Sequence, residues 1–92
     1  MTAPPPTLLV VEDDSGVAEL ERVRLEDAGY RVVVAATTDA ALAAAAAGGL
    51  DLVLLDYHLP GGADGLDLYA RLRAAGHDLP VILVTGFGNE AT

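Results

Sequence analysis

The chain has 92 residues, a formal net charge of -9 at pH 7 and no cysteine. This length supports one small domain, and the excess of acid argues against binding to nucleic acid phosphates or to anionic membranes. Disulfides, thiolate metal sites and cysteine nucleophiles are excluded, and because all five basic residues are arginines, so is a P-loop, which requires lysine.

The N-terminal residues 1–7 form a proline-rich stub that contains Pro4–Pro6. It lacks the positive region and the long apolar region of a secretory signal, and no later stretch is apolar for long enough to span a membrane. We therefore predict a single domain over residues 8–92 in a cytoplasmic protein. Its first element is a buried strand, Leu8–Val11, which is a short continuous apolar run.

A helix and a second strand follow this run. Asp14 or Ser15 can cap a helix that runs to about Ala28, and Gly29 supplies a left-handed stop. The next segment, Tyr30–Ala35, is rich in β-branched residues and is predicted to be a strand. In chain order, the remaining predicted elements are a helix over Asp39–Ala47 capped by Thr37 or Thr38, a strand over Leu52–Leu55, a helix from the cap Asp64 to about Ala75, and a strand over Val81–Val84.

The strict alternation of strands and helices predicts an α/β fold, with a parallel sheet, right-handed crossovers and helices on both faces. The expected architecture is a flavodoxin-like doubly wound sheet with strand order 2-1-3-4. In this order the first and third strands are neighbours at the switch point, where such sheets bind ligands beyond the carboxyl ends of the strands. Leucines of the third helix, with Tyr69 at its flank, are expected to pack as core.

Acidic residues end the two strands that meet at this switch point. Glu12, Asp13 and Asp14 follow the first strand, and Asp56 follows the third. Converging carboxylates repel one another unless a cation lies between them, and oxygen ligands with open coordination positions suit Mg²⁺. Such an ion could hold a phosphoryl oxygen while Asp56 attacks as a nucleophile. The simpler alternative is that these acids only cap the helices that follow.

Weaker signals surround this cluster. Thr85 ends the fourth strand, so its hydroxyl could donate a hydrogen bond to a phosphoryl group on Asp56, and Gly86 would let the backbone approach an anion. His58 and His77 lack the spacing of a metal site and are interpreted as loop residues.

Three segments in register resemble the receiver domain of two-component response regulators. They are Leu8–Asp14, the segment Asp56–Pro60 leading to Asp64-Gly65, and Pro80–Gly86. The resemblance implies that Asp56 accepts a phosphoryl group from a histidine kinase or a phosphotransfer protein. It also implies an Mg²⁺ site formed by Glu12, Asp13, Asp56 and the backbone carbonyl of His58, with Thr85 sensing the phosphoryl group and Gly86 as a possible backbone contact.

The sequence departs from the receiver pattern in three ways. The fifth strand with its lysine, and the last helices, are absent from these residues, so the similarity covers the N-terminal three-quarters of a receiver. Glu21 and Arg24 occupy helix positions where receivers commonly carry leucine, and they are expected to reach the rim or to pair with each other. The loop Gly61–Ala63 is one residue longer than the commonest pattern.

These features leave alternatives to a phosphoacceptor. The chain could be a pseudo-receiver that binds other proteins and no longer accepts phosphate. A phosphatase of the haloacid dehalogenase type would require an aspartate two residues after the nucleophile, where this chain has His58, so an enzyme that turns over a substrate is not expected. Sheet surface without a covering helix also predicts self-association.

Overall fold

The computed structural model describes residues 4–56 and 65–84, with the side chains of all except residues 56, 65, 66, 83 and 84. Strands and helices alternate throughout this part of the chain, as the sequence predicts. In order, they are β1 (Thr7–Val11), α1 (Ser15–Asp27), β2 (Arg31–Ala35), α2 (Thr38–Ala47), β3 (Leu52–Asp56), α3 (Gly65–Ala74) and β4 (Val81–Val84).

The boundaries between α1 and β2 follow from local hydrogen bonds. Asp14, and not Ser15, is the N-cap, because its Oδ1 accepts from the N–H of Val17 at 3.0 Å. Gly29 has φ 102°, the left-handed conformation that ends the helix. The prediction that Tyr30 begins β2 is wrong: its N–H donates to the carbonyl of Leu25 at 3.0 Å, so it still belongs to the helix end.

The N-cap of α2 provides a stability prediction. The hydroxyl of Thr37 accepts from the N–H of Ala40 at 3.1 Å, whereas Thr38 is the first residue inside the helix. We expect Thr37→Ala to cost about 1 kcal/mol in urea-induced unfolding, because an N–H at the helix start loses its acceptor. Thr38→Ala removes a hydroxyl from the first residue inside the helix, which is not the cap, and it is expected to cost less. Equal losses from the two variants would contradict the assignment of the cap.

The sheet has the order β2-β1-β3-β4 with all strands parallel, which confirms the predicted doubly wound topology. β1 is flanked by β2 and β3, and Val11 at its end is in register with Ala35 and with Leu55. The first and third strands are therefore neighbours that end at the same level of the sheet.

One face of the sheet is covered by α2 and α3. Side chains from β1 and β3 pack there against Ala41 and Ala45 of α2 and against Leu68 and Leu72 of α3. Alanines in α2 let this helix approach the sheet closely. The buried cluster comprises Leu9, Val11, Ala35, Ala41, Ala45, Val53, Leu55, Leu68 and Leu72. Leu68 and Leu72 are thus core residues, as predicted, and Tyr69 is 39% exposed at the flank.

The opposite face is covered only in part. α1 contacts β1 and β2, so Leu8 and Val10 of β1 are buried beneath it. Leu54 of β3 is half-buried and Ile82 of β4 is 50% exposed. Sheet surface without a covering helix therefore exists within the described residues, while self-association through it stays a prediction.

Within the described residues, no helix combines the length and the apolar character that crossing a membrane requires.

Candidate functional site

The acidic residues that the sequence singles out are placed by the ends of β1 and β3. Val11 and Leu55 are the last residues paired between these strands, and Glu12 and Asp56 directly follow them. The N–H of Glu12 donates to the carbonyl of Ala35 at 2.9 Å, which extends the line of β1 beyond the strand. The backbone therefore brings Glu12 and Asp56 to the same edge of the sheet.

Glu12 and Asp13 differ in their exposure. The side chain of Glu12 is buried, with the residue 7% exposed, and its Oε2 accepts a hydrogen bond from the N–H of Asp14 at 3.2 Å. Asp13 is exposed. The pair therefore offers one carboxylate fixed at the sheet edge and one that is accessible to solvent, on consecutive residues.

Asp56 is the last residue of β3, and its Cα is in register with Val84 at the end of β4. Thr85 follows Val84 in the chain, and it lies outside the described residues, as do His58, Gly86 and the loop at residues 61–63. Of the predicted site, the structure thus places the backbones of Glu12, Asp13 and Asp56. Among the residues it describes, no group of three or more His, Asp or Glu side chains is arranged to hold a metal ion.

A groove of about 310 Å³ adjoins the acidic edge on the side of α1 that faces β2. Ala18, Val34 and Ala36 form apolar parts of its lining, and Glu12 and Asp13 lie at its end.

Arg22 joins two acids along α1 beside this groove. Its guanidinium forms a bidentate pair with Glu19, through Nε at 3.0 Å and through NH2, and it contacts Glu26 through NH1 at 2.6 Å. Hydrogen bonds from Arg22 lower the pKa of Glu19, and the two carboxylates together raise the pKa of Arg22. All three groups face solvent, so the network stabilises the helix only modestly.

This network was not among the pairs predicted from the sequence, which were limited to Glu21 with Arg24. Arg24 is exposed, in agreement with a position at the rim, and Glu21 is half-buried. The spacing of Glu19, Arg22 and Glu26 at i,i+3 and i,i+4 would have been sufficient to predict the observed pairs.

A second feature that the sequence analysis missed lies at the amino end of the sheet. The N–H of Thr7 donates to the Asp51 carboxylate at 2.8 Å, and the N–H of Asp51 donates to the carbonyl of Thr7 at 2.8 Å. These bonds tie the starts of β1 and β3 together, and so they help to fix the register that aligns Glu12 with Asp56. His77, in contrast, is the predicted loop residue: its N–H donates to the carbonyl of Leu72 at 3.0 Å, after α3.

Comparison with known sequences agrees with this arrangement. The profile of the response regulator receiver domain matches residues 8–92. The chain belongs to this family. It is 44% identical over 78 residues to the transcriptional regulatory protein YkoG of Bacillus subtilis, a match that covers 85% of this chain and 34% of YkoG. It is 38% identical over 86 residues to the phosphate regulon regulator PhoB of Pseudomonas aeruginosa, covering 91% of this chain and 37% of PhoB.

Solved receiver domains have the same fold. The response regulator TrrA of Thermotoga maritima, in complex with Mg(2+)-BeF, superposes with a TM-score of 0.81 at 32% identity, covering 90% of this chain and 71% of TrrA. A CheY-like receiver domain from Methylobacillus flagellatus gives 0.83 at 31% identity, covering 96% and 75%. The receiver domain described here spans about a third of the curated relatives' length. It is a signalling domain of two-component systems.

Proposed function

We propose that Asp56 of this receiver domain is the phosphoacceptor, and that residues 8–92 receive a phosphoryl group from a histidine kinase or a phosphotransfer protein in the cytoplasm. The observation that supports this most directly is the register of β1 and β3, which brings Asp56 to the same sheet edge as Glu12 and Asp13. This edge is the switch point of a doubly wound sheet, where ligands bind.

The proposed transfer forms one bond and breaks one. A carboxylate oxygen of Asp56 attacks phosphorus, forming an O–P bond, while the P–N bond to the donor histidine breaks and the imidazole nitrogen keeps the electron pair. Asp56 needs no general base, since a carboxylate is already deprotonated at neutral pH. The domain acts as an acceptor, and no turnover of a separate substrate is part of the proposal.

The donor set at this edge fits Mg²⁺. Carboxylate oxygens of Glu12, Asp13 and Asp56, with the backbone carbonyl of His58, are hard oxygen ligands that leave positions open for water and phosphate. When bound, the ion would neutralise charge on the phosphoryl oxygens. The exposed position of Asp13 leaves it accessible to a hydrated ion, whereas buried Glu12 is held by the N–H of Asp14. We assign Thr85 and Gly86, which follow Val84 in the sequence, to contacts with the phosphoryl group itself.

Incubation with a small phosphodonor tests the acceptor directly. We expect acetyl phosphate with Mg²⁺ to add one phosphoryl group to the chain, and peptide mapping by mass spectrometry to locate it on Asp56. Asp56→Asn keeps the shape of the side chain but lacks the anionic nucleophile, and it is expected to abolish labelling. Chelation of Mg²⁺ should have the same effect on the parent chain.

An unmodified parent chain, or label that persists in the Asp56→Asn variant, would contradict the proposed acceptor. The first outcome would favour the pseudo-receiver, an alternative that the comparisons do not support. Catalytic release of phosphate from phosphomonoesters would favour a phosphatase instead.

A further inference from the structure

Asp14 forms hydrogen bonds in two directions, toward Glu12 and toward the start of α1. Its N–H donates to Oε2 of Glu12 at 3.2 Å. Its Oδ1 accepts from the N–H of Val17 at 3.0 Å, and its carbonyl accepts from the N–H of Ala18 at 2.9 Å. One residue thus joins a carboxylate of the acidic edge to the first turn of the helix.

The bond from Asp14 acts on a carboxylate that is buried. Glu12 is 7% exposed, and a buried carboxylate is costly unless hydrogen bonds satisfy it. The backbone of Glu12 is fixed separately, because its N–H donates to the carbonyl of Ala35 at 2.9 Å. Several rotatable bonds lie between this anchored backbone and the carboxylate, so the N–H of Asp14 helps to set the direction of the carboxylate.

The capping side chain of Asp14 has little room to move. A Cβ on Gly16 would lie 3.3 Å from Oδ1 of Asp14, which is a tight contact. Glycine at this position lets the Asp14 carboxylate lie close over the helix start, where the N–H of Val17 holds it. Asp13 lies between two anchored residues, Glu12 and Asp14. The cap therefore also limits where the backbone presents Asp13, although the side chain of Asp13 is exposed.

We infer that Asp14 is a positioning residue for the acidic edge: it orients Glu12 before an ion binds, and it couples metal binding to the capping of α1. The inference rests on the proposed Mg²⁺ site. A ligand that is already held in place loses less conformational freedom on binding, so a preorganised Glu12 raises the affinity for the ion. Coupling is reciprocal, and a bound ion must strengthen the cap by the factor by which the cap strengthens binding.

A simpler role for Asp14 is to stabilise α1 alone. In that case, substitutions at Asp14 would lower the free energy of unfolding and leave the Mg²⁺ affinity of the folded chain unchanged. Positioning predicts instead that the affinity depends on two hydrogen bonds, the one to Glu12 and the one from Val17. Variants that remove these bonds separately distinguish the two roles.

Alanine at position 14 tests the cap. D14A keeps the N–H that binds Glu12 but has no acceptor for the N–H of Val17. Asp14→Asn removes the same charge and keeps both the N–H and a capping oxygen, so it is the matched control. We expect D14A to bind Mg²⁺ about two- to fivefold more weakly than Asp14→Asn in isothermal titration calorimetry, since the coupling cannot exceed what the cap contributes.

Proline at position 14 tests the bond to Glu12, because proline has no N–H. Asp14 has a φ of -86°, near the range that proline imposes. D14P and D14A lack the same charge and the same cap, and only D14P also lacks the N–H. We expect D14P to bind Mg²⁺ about tenfold more weakly than D14A, a loss typical of removing the partner of a metal ligand.

S15P is the control for the proline ring itself. It places the same ring at the first position of α1, where proline is favoured, and it keeps the bonds that Asp14 makes to Glu12 and Val17. Its Mg²⁺ affinity should match that of the parent chain.

Amide exchange measures the reverse effect, that of the metal on the cap. The N–H of Val17 is bonded to the Asp14 side chain, so it exchanges when the cap opens. Saturating Mg²⁺ should slow this exchange in NMR by the factor that separates D14A from Asp14→Asn, about two- to fivefold. The N–H of Ala40, which Thr37 caps in the same way on α2, is the internal control and should change less.

Several results would overturn the inference. These are equal Mg²⁺ affinities of D14A and Asp14→Asn, equal affinities of D14P and D14A, a loss in S15P as large as that in D14P, or exchange at Val17 that does not respond to Mg²⁺. If D14P does not unfold cooperatively in urea, the comparison of D14A with Asp14→Asn and the exchange at Val17 decide.

None of these measurements involves a phosphodonor. A parent chain that binds Mg²⁺ but is not labelled on Asp56 would contradict the proposed phosphoacceptor and leave the positioning role of Asp14 intact. A parent chain that does not bind Mg²⁺ would contradict both. Labelling of Asp56 in every variant, with unchanged Mg²⁺ affinities, would support the phosphoacceptor and overturn the positioning role.

Discussion

Leu68→Ala is expected to destabilise the domain by about 2–5 kcal/mol. Leu68 is fully buried and contributes to the cluster in which α3 packs on the sheet. Truncation removes apolar contacts and leaves a cavity that the neighbouring β-branched and leucine side chains fill only in part. Since a domain of this size has a total stability of about 5–15 kcal/mol, the loss is a large share of it.

Leu20→Ala is the matched control for this prediction. Leu20 also lies on a helix, but it is 51% exposed on α1, and its truncation should cost no more than about 0.5 kcal/mol. Urea-induced unfolding followed by circular dichroism measures both variants. A loss at Leu20 that equals or exceeds the loss at Leu68 would show that the α1 surface, and not the α3 cluster, is the main core.

Asp13→Asn is expected to change the free energy of unfolding in opposite directions with and without Mg²⁺. In the parent chain, an ion that binds the folded state raises the free energy of unfolding by about 2.7 kcal/mol at a hundredfold excess over its dissociation constant. The variant removes one of the proposed ligands, so most of this gain and most of the labelling of Asp56 should be lost. Without Mg²⁺ the variant should be slightly more stable than the parent chain, because one like charge is removed from the acidic edge.

Asp14→Asn separates a loss of metal ligation from a general loss of charge. It removes the same charge from the neighbouring residue, and asparagine caps a helix as well as aspartate does. The cap on Val17 should therefore persist. Melting temperatures with and without Mg²⁺ measure both variants, and Asp14→Asn should retain the Mg²⁺ response. Loss of the response in both variants, or in neither, would argue against Asp13 as a ligand.

The elements of this fold could be predicted because their signals are local. Continuous apolar runs at Leu8–Val11 and Leu52–Leu55 suffice for buried strands, and glycines such as Gly29 mark helix ends by a conformation that other residues rarely adopt. The alternation of these elements then leaves few topologies for a parallel sheet. The strand order 2-1-3-4 could be predicted for the same reason, and the structure confirms it.

Details that depend on competing local hydrogen bonds were harder to predict. Aspartate and serine are similarly favourable N-cap residues, so residue type alone does not decide between Asp14 and Ser15. In the folded backbone, the N–H of Val17 donates to Asp14. Tyrosine is a residue type that favours strands, but the N–H of Tyr30 donates to the carbonyl of Leu25 at the end of the helix. In both cases two residues of similar propensity compete, and geometry decides between them.

By itself, the sequence determined the acidic strand ends, the family and the order of the elements, because each depends on residues that are close together in the chain. Only the tertiary structure decided which surfaces stay exposed. The burial of Glu12, the ties between Asp51 and Thr7, and the exposure of Val33 on β2 all depend on residues that are distant in sequence. Their contacts form only when strands pair across the sheet, so no pattern within a single strand or helix specifies them.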